Sequence, residues 1–107
     1  MNYGSQYGRT VTIQTTSTFD AWFESLRDRQ GKARIAARLR RLEMGHMGDA
    51  KAVGKGVQEM RIDCGPGYRI YFTRRGIEIV ILLAGGDKDS QQRDIRAATT
   101  LARQIGD

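Results

Sequence analysis

Apolar positions in the first half of the chain recur every three or four residues. Phe19, Trp22, Phe23 and Leu26 stand at i, i+3, i+4 and i+7, the spacing that lines one face of a helix with bulky side chains and commits it to a core. Ser17, with Asp20 three residues later, predicts a capping box at the helix start. Just ahead, residues 11–15 are rich in β-branched side chains and predict a short strand. Ile35, Leu39 and Leu42 repeat the helical spacing, and Gly45 supplies a stop. Between those apolar positions lie Lys32, Arg34, Arg38, Arg40 and Arg41, so the two segments predict a helical hairpin with a basic outer surface.

From Val57 the period falls to two. Gln58, Met60, Ile62 and Cys64 share one face, while Val57, Glu59, Arg61 and Asp63 share the other, away from the core. Gly65-Pro66-Gly67 reads as a turn, and residues 68–73 alternate again, with Tyr68, Ile70 and Phe72 opposed to Arg69, Tyr71 and Thr73. Residues 77–84 are almost wholly apolar, as expected of a central strand covered on both faces. After the break at residues 85–90, Ile95, Ala98, Ala102 and Ile105 return to helical spacing, with Asp89 or Ser90 as the expected cap. The predicted order is β-α-α-β-β-β-α, an α+β chain. Residues 1–10 are expected to be a flexible tail and residues 11–107 a single domain, since 107 residues suffice for one core and not two.

Composition adds a direction. Lys and Arg number 18 against 12 Asp and Glu, a formal charge of +6, which suits nucleic acid first and an acidic protein second; many small basic proteins bind neither. The single cysteine, Cys64, excludes an internal disulfide and a cysteine-ligated metal cluster. With no apolar run of the roughly 18 residues a membrane span needs and a polar start, the expectation is a soluble cytoplasmic protein without a membrane partner.

If the predicted hairpin folds about Gly65 and Pro66, Arg61 and Arg69 become cross-strand neighbours on one face, with the exact register left open by the sequence. Two like charges there repel unless carboxylates or a bound anion compensate, and phosphate oxygens match guanidinium forks. Either the pair holds phosphate, or Glu59, Asp63 and Glu78 absorb both arginines as solvated ion pairs. Lys88, in a glycine loop after the apolar strand, adds a third cation to the first alternative. Lys51 and Lys55, in a glycine-rich segment read as loop, are candidates for contacts to an RNA backbone or are plain surface lysines. Tyr71 could stack on a base or sit half-buried in the sheet. Glu59 could touch RNA as a general base or merely anchor the arginines. His46 is the only histidine, which rules out a two-histidine acid–base arrangement. Dinucleotide and Walker fingerprints and metal-ligand spacings are missing from the sequence, so neither a cofactor nor a metal is expected.

The stretch LRDRQGKARIAARLRRLEMGHMGDAKAVGKGVQEMRIDCGPGYRIYF, followed by LLAGGDKDSQQRDI, closely resembles the addiction-module killer proteins of the RelE/ParE superfamily, in particular the HigB-like group. The distinctive pieces are GVQEMRI, GPGYRIYF and LLAGGDK in that spacing. The resemblance implies a RelE-like fold, a curved and mostly antiparallel sheet packed against a helical hairpin. It also implies the toxin of a type II toxin–antitoxin module, paired with a helix-turn-helix, HigA-like antitoxin. Such a toxin cuts messenger RNA on the ribosome, leaving a 2′,3′-cyclic phosphate. Carried over by motif, Arg69 and Lys88 match catalytic basic positions, with Arg61 next. A ParE-like gyrase inhibitor and a non-catalytic antitoxin-binding module are the alternatives. Where well-known RelE members carry a tyrosine at the start of the last helix, this chain has Gln91, Gln92 and Asp94.

Overall fold

The structure, a computed structural model, describes residues 10–106; the tail expected over residues 1–10 lies outside them apart from Thr10. Five strands and three helices follow in the order β1 (Thr12–Thr15), α1 (Ser17–Ser25), α2 (Arg29–Glu43), β2 (Ala50–Gly54), β3 (Val57–Ile62), β4 (Tyr68–Arg75), β5 (Ile79–Gly86) and α3 (Gln91–Ile105). They form one mixed sheet in the order β1-β5-β4-β3-β2, antiparallel except for the β1–β5 pair. This is the α+β arrangement expected, compatible with a RelE-like fold, with two corrections to its strands.

The first is β2, read from sequence as loop. Ala50 and Ala52 carry little strand preference, yet Gly54 pairs with Val57 across a two-residue turn in which Lys55 (φ 56°) and Gly56 (φ 78°) both adopt positive φ. That is the requirement of a primed hairpin turn, and the glycine-lysine-glycine run meets it. The second concerns β5, which is interior but not central; β4 holds the middle of the sheet. β5 also runs two residues later than expected, because Ile77 stands 55 % exposed in the preceding turn while Gly85 and Gly86 remain in the strand.

Helix ends follow local chemistry. α1 is capped by Thr16 and not by Ser17: its Oγ1 accepts the Phe19 N–H at 3.1 Å and also reaches the Leu82 and Leu83 carbonyls of β5. The cap moves one residue back because the Thr16 N–H still bonds Leu82 across from β5. α2 starts on Asp28, whose Oδ1 accepts the Gly31 N–H. It stops where expected: Gly45 (φ 94°) bonds the Leu42 carbonyl and His46 bonds that of Arg41, the paired closure of a Schellman motif.

α1 and α2 cover one face of the sheet, where Phe19, Ile35, Leu42, Met60, Ile70 and Leu82 are buried together. α3 lies across β5, β4 and β3 on the other face and encloses a smaller core that includes Val57, Tyr71, Leu83 and Ala98. The face that sequence alternation set away from the core therefore carries a second core under α3. In β5 the register shifts at Leu83: Tyr71 pairs with Ala84 and Phe72 with Leu82. Leu83 is the extra residue of a bulge, which lets both Leu83 and Ala84 face α3. Beyond the bulge, Gly85 lies beneath the Trp22 ring and Gly86 beneath Ser90 and Asp94.

Gly85 makes that packing testable. Alanine has the better backbone entropy in a strand, but its Cβ would stand closer to the indole of Trp22 than van der Waals contact permits. Gly85→Ala is expected to destabilise the fold by about 1–3 kcal/mol, the usual cost of overpacking, read from urea denaturation. An unchanged or raised midpoint would mean that Trp22 does not seat on β5.

Candidate functional site

The β3–β4 hairpin sets two arginines directly opposite each other. Arg61 pairs with Arg69 in the ladder, at the end of the sheet where the chain turns through Gly65 (φ 56°) and Gly67 (φ 79°). Lys88 arrives from the β5–α3 loop. Asp87 braces this loop by accepting the Asp89 and Ser90 N–H groups on Oδ1 at 2.9 and 3.1 Å, and the Lys88 N–H reaches the Pro66 carbonyl at 3.4 Å. A Cβ on Gly67 would lie 3.2 Å from Arg69 Nη1 and 3.5 Å from Lys88 Cβ, so glycine lets the turn, the arginine and the lysine loop approach closely. Arg61, Arg69 and Lys88 line one open cleft of about 410 Å³ together with Asp49, Asp63 and Tyr68.

The two arginines differ in freedom. Arg61 is half exposed, with Nε 3.9 Å from Asp49 Oδ2, itself well exposed. Arg69 is 9 % exposed; its Nη1 donates to the Gly67 carbonyl at 2.8 Å, and its Nε faces Glu59 Oε2 at 3.6 Å without a hydrogen-bond partner. A guanidinium held this way keeps its outer edge for an acceptor in the cleft.

Glu59 and Tyr71 do not reach the cleft surface. Both are fully buried, because α3 crosses the sheet above them. Tyr71 therefore offers no ring face for a base, and Glu59 cannot touch RNA: the Tyr71 hydroxyl donates to Glu59 Oε2 at 3.3 Å, and Gln91 Nε2 donates to the same oxygen at 2.7 Å. Burial, with the Glu59 charge, pushes the Tyr71 phenol well above its ordinary value. Lys51, on β2 opposite Glu59, stands 4.0 Å from Glu59 Oε1 with its side chain mostly in solvent. Lys55 is elsewhere. It lies at the β2–β3 turn and lines a different cleft with Arg74, Arg75 and Arg103. Gln91 is the contributor that sequence reading missed, since nothing in a glutamine at a helix start signals that it turns inward.

A second contact fastens the hairpin from below. The Tyr68 hydroxyl donates to Asp28 Oδ2 at 2.9 Å, joining the start of β4 to the cap of α2. The Gly31 N–H bond, and after it that of Tyr68, hold the Asp28 carboxyl below its ordinary range, while burial and the bond to Asp28 push Tyr68 up to about 12. His46 lies on a neighbouring cavity of about 1000 Å³ with Arg34, Arg38 and Arg41, away from Arg69 and Lys88; Arg61, Asp49 and Asp63 border both spaces. Among the described residues no three His, Cys, Asp or Glu side chains gather as metal ligands, and no helix is long and apolar enough to cross a membrane.

A family model described as phage derived protein Gp49-like (DUF891) matches residues 21–105, which takes in α2, the whole cleft and α3. An uncharacterized protein of Haemophilus influenzae is 47 % identical over 97 residues, covering 91 % of this chain and 98 % of that one.

The Asp28–Tyr68 contact predicts a pH dependence. Tyr68 keeps its proton longer in the folded than in the unfolded chain, so its contribution is complete below about pH 10 and is lost as pH rises through about 12. Tyr68→Phe is expected to be less stable than the parent at pH 7 and to lose stability less steeply between pH 10 and 12. Parallel slopes in denaturation at stepped pH would show that the phenol titrates as it does in the unfolded chain.

Proposed function

Because the chain belongs to the phage-derived Gp49-like family, a RelE-like toxin family, we propose that it is a HigB-like toxin acting as a ribosome-dependent messenger RNA endoribonuclease. Family membership suggests a toxin of the toxin–antitoxin type, with an antitoxin as its partner; the ribosome, the messenger RNA and a helix-turn-helix, HigA-like antitoxin are the finer proposal. The observation that carries it is the meeting of Arg61, Arg69 and Lys88 on one cleft, where nothing in the packing requires three cations together.

The chemistry such a cleft favours is in-line attack of a ribose 2′-hydroxyl on the adjacent phosphorus. The 2′-oxygen–phosphorus bond forms, the phosphorus–5′-oxygen bond breaks, and a 2′,3′-cyclic phosphate remains. Arg69, constrained by Gly67 on one side and Glu59 behind, would contact a non-bridging oxygen. Arg61, half exposed beside Asp49, would share the phosphate charge, and Lys88 would give its proton to the departing 5′-oxygen. The 2′-hydroxyl proton would leave to water or to Asp49 or Asp63 on the cleft wall. Prearranged positive groups stabilise the charge that develops on the phosphate oxygens, which is where such reactions gain most.

The test is inducible expression in bacteria with messenger RNA 5′ ends mapped before and after induction, alongside Arg69→Ala and Lys88→Ala. New ends within translated codons are expected, and each variant should lower their formation by about 10²–10³-fold, the usual loss when one transition-state donor is removed, while far-ultraviolet circular dichroism stays unchanged. Cleavage that persists in both variants would sink the assignment of the cleft. Growth arrest with intact transcripts and mis-supercoiled DNA would replace the nuclease by a gyrase inhibitor, and antitoxin binding without arrest would leave a binding module.

A further inference from the structure

We propose that Glu59 is a positioning residue, whose buried carboxylate, oriented by Gln91 and Tyr71 from the α3 side, fixes the Arg69 guanidinium so that only its outer edge meets the phosphate. This deepens the phosphate-cleft reading above and rests on it.

A carboxylate with no exposed surface is an expensive choice for the middle of β3. An apolar side chain between Val57 and Tyr71 would extend the core at no cost in desolvation, so the fold alone gives no reason for Glu59. Its contacts supply one. Both neutral donors, the Gln91 amide at 2.7 Å and the Tyr71 hydroxyl at 3.3 Å, go to Oε2, which fixes the plane of the carboxylate. The charge is then shared between two cations, Arg69 with Nε at 3.6 Å from Oε2 and Lys51 with Nζ at 4.0 Å from Oε1. Oε1 and Arg69 Nε are the two atoms in this group that are buried without a hydrogen bond. A small movement of the guanidinium would bring Arg69 Nε into hydrogen-bond range of Oε2, while Oε1 is left to Lys51. With Nη1 on the Gly67 carbonyl and Nε directed at Glu59, Nη2 and the free N–H of Nη1 are what Arg69 can offer to a ligand. Gln91 stands where the last helix begins, so α3 bears on the site through Glu59.

The variants are Glu59→Gln, which keeps the shape and removes the charge, and Gln91→Ala, which keeps the charge and frees the carboxylate. Three readouts separate the roles: the ¹⁵N-resolved Arg69 Nε–H signal of the isolated protein, the affinity for a short fluorescent RNA oligonucleotide, and kcat with KM on ribosome-bound messenger RNA. The wild type is expected to show a slowly exchanging Arg69 Nε–H, which Glu59→Gln loses. Because that variant also removes a negative charge behind the cleft, it should bind the oligonucleotide as well as the wild type or a few-fold better while kcat falls by about tenfold or more. Gln91→Ala should shift the same signal and lower kcat in the same sense but less. An identical Arg69 signal in wild type and Glu59→Gln overturns the proposal. So does a parallel fall of binding, turnover and melting temperature, which is what a merely structural ion pair would give. If the wild type cuts no RNA, the nuclease reading fails by itself, and the Arg69 signal together with oligonucleotide binding still decides whether Glu59 positions the arginine.

Discussion

The close approach of α3 to the end of β5 governs which residues of this sheet are core and which are cleft. Gly86 has no side chain, and Ser90 and Asp94 sit directly on its backbone, so the helix begins low over the strands and covers everything behind its first turn. Glu59 and Arg61 are two residues apart on the same side of β3, yet one side chain is fully buried and the other half exposed. The helix start draws that line. A side chain on Gly86 would meet the Ser90 hydroxyl and the Asp94 carboxylate at the start of α3, next to Gln91, so a glycine in β5 bears on Glu59 two strands away.

Arg69 lies on that line and takes its character from it. Fully exposed, it would be a mobile surface charge of little value; fully buried without a counter-charge, it would be strongly destabilising. At 9 % exposure, with Glu59 behind it and the Gly67 carbonyl beside it, it can hold one orientation. Arg61 across the ladder remains solvated and shares its charge with Asp49. One cation is thus buried among partners and the other half exposed, and the difference follows from their positions relative to α3.

Much of this was legible in the residues. The helical spacings of Phe19, Trp22, Phe23 and Leu26 and of Ile35, Leu39 and Leu42 located α1 and α2, Gly45 closed α2, and the glycine-proline-glycine turn put Arg61 and Arg69 on one face of a hairpin, although their exact register came only from the structure. What strand alternation does not report is whether the polar side of a strand faces water or a second layer. The spacing that separated Glu59 and Tyr71 from the first core was read correctly as geometry, but whether α3 lies over them depends on close packing at Gly86, which has no periodic signature. β2 escaped for a related reason: its residues have weak strand preference, and it is held by pairing to β3 and by a turn that only Lys55-Gly56 reveals. The bulge at Leu83 changes phase within an apolar run, where every residue looks alike from sequence.

A like-charged pair directly opposed in a ladder works against folding, and this sheet carries one although its other faces are satisfied. Asp49 and Glu59 relieve it from two sides, at 3.9 and 3.6 Å, distances that screen the repulsion without closing either ion pair into a tight hydrogen-bonded bridge. Had Asp49 and Glu59 been further away, the hairpin end would be strained by uncompensated charge. Arg61 and Arg69 both line the same small cleft, and a phosphate is the group whose charge and geometry would meet both at once.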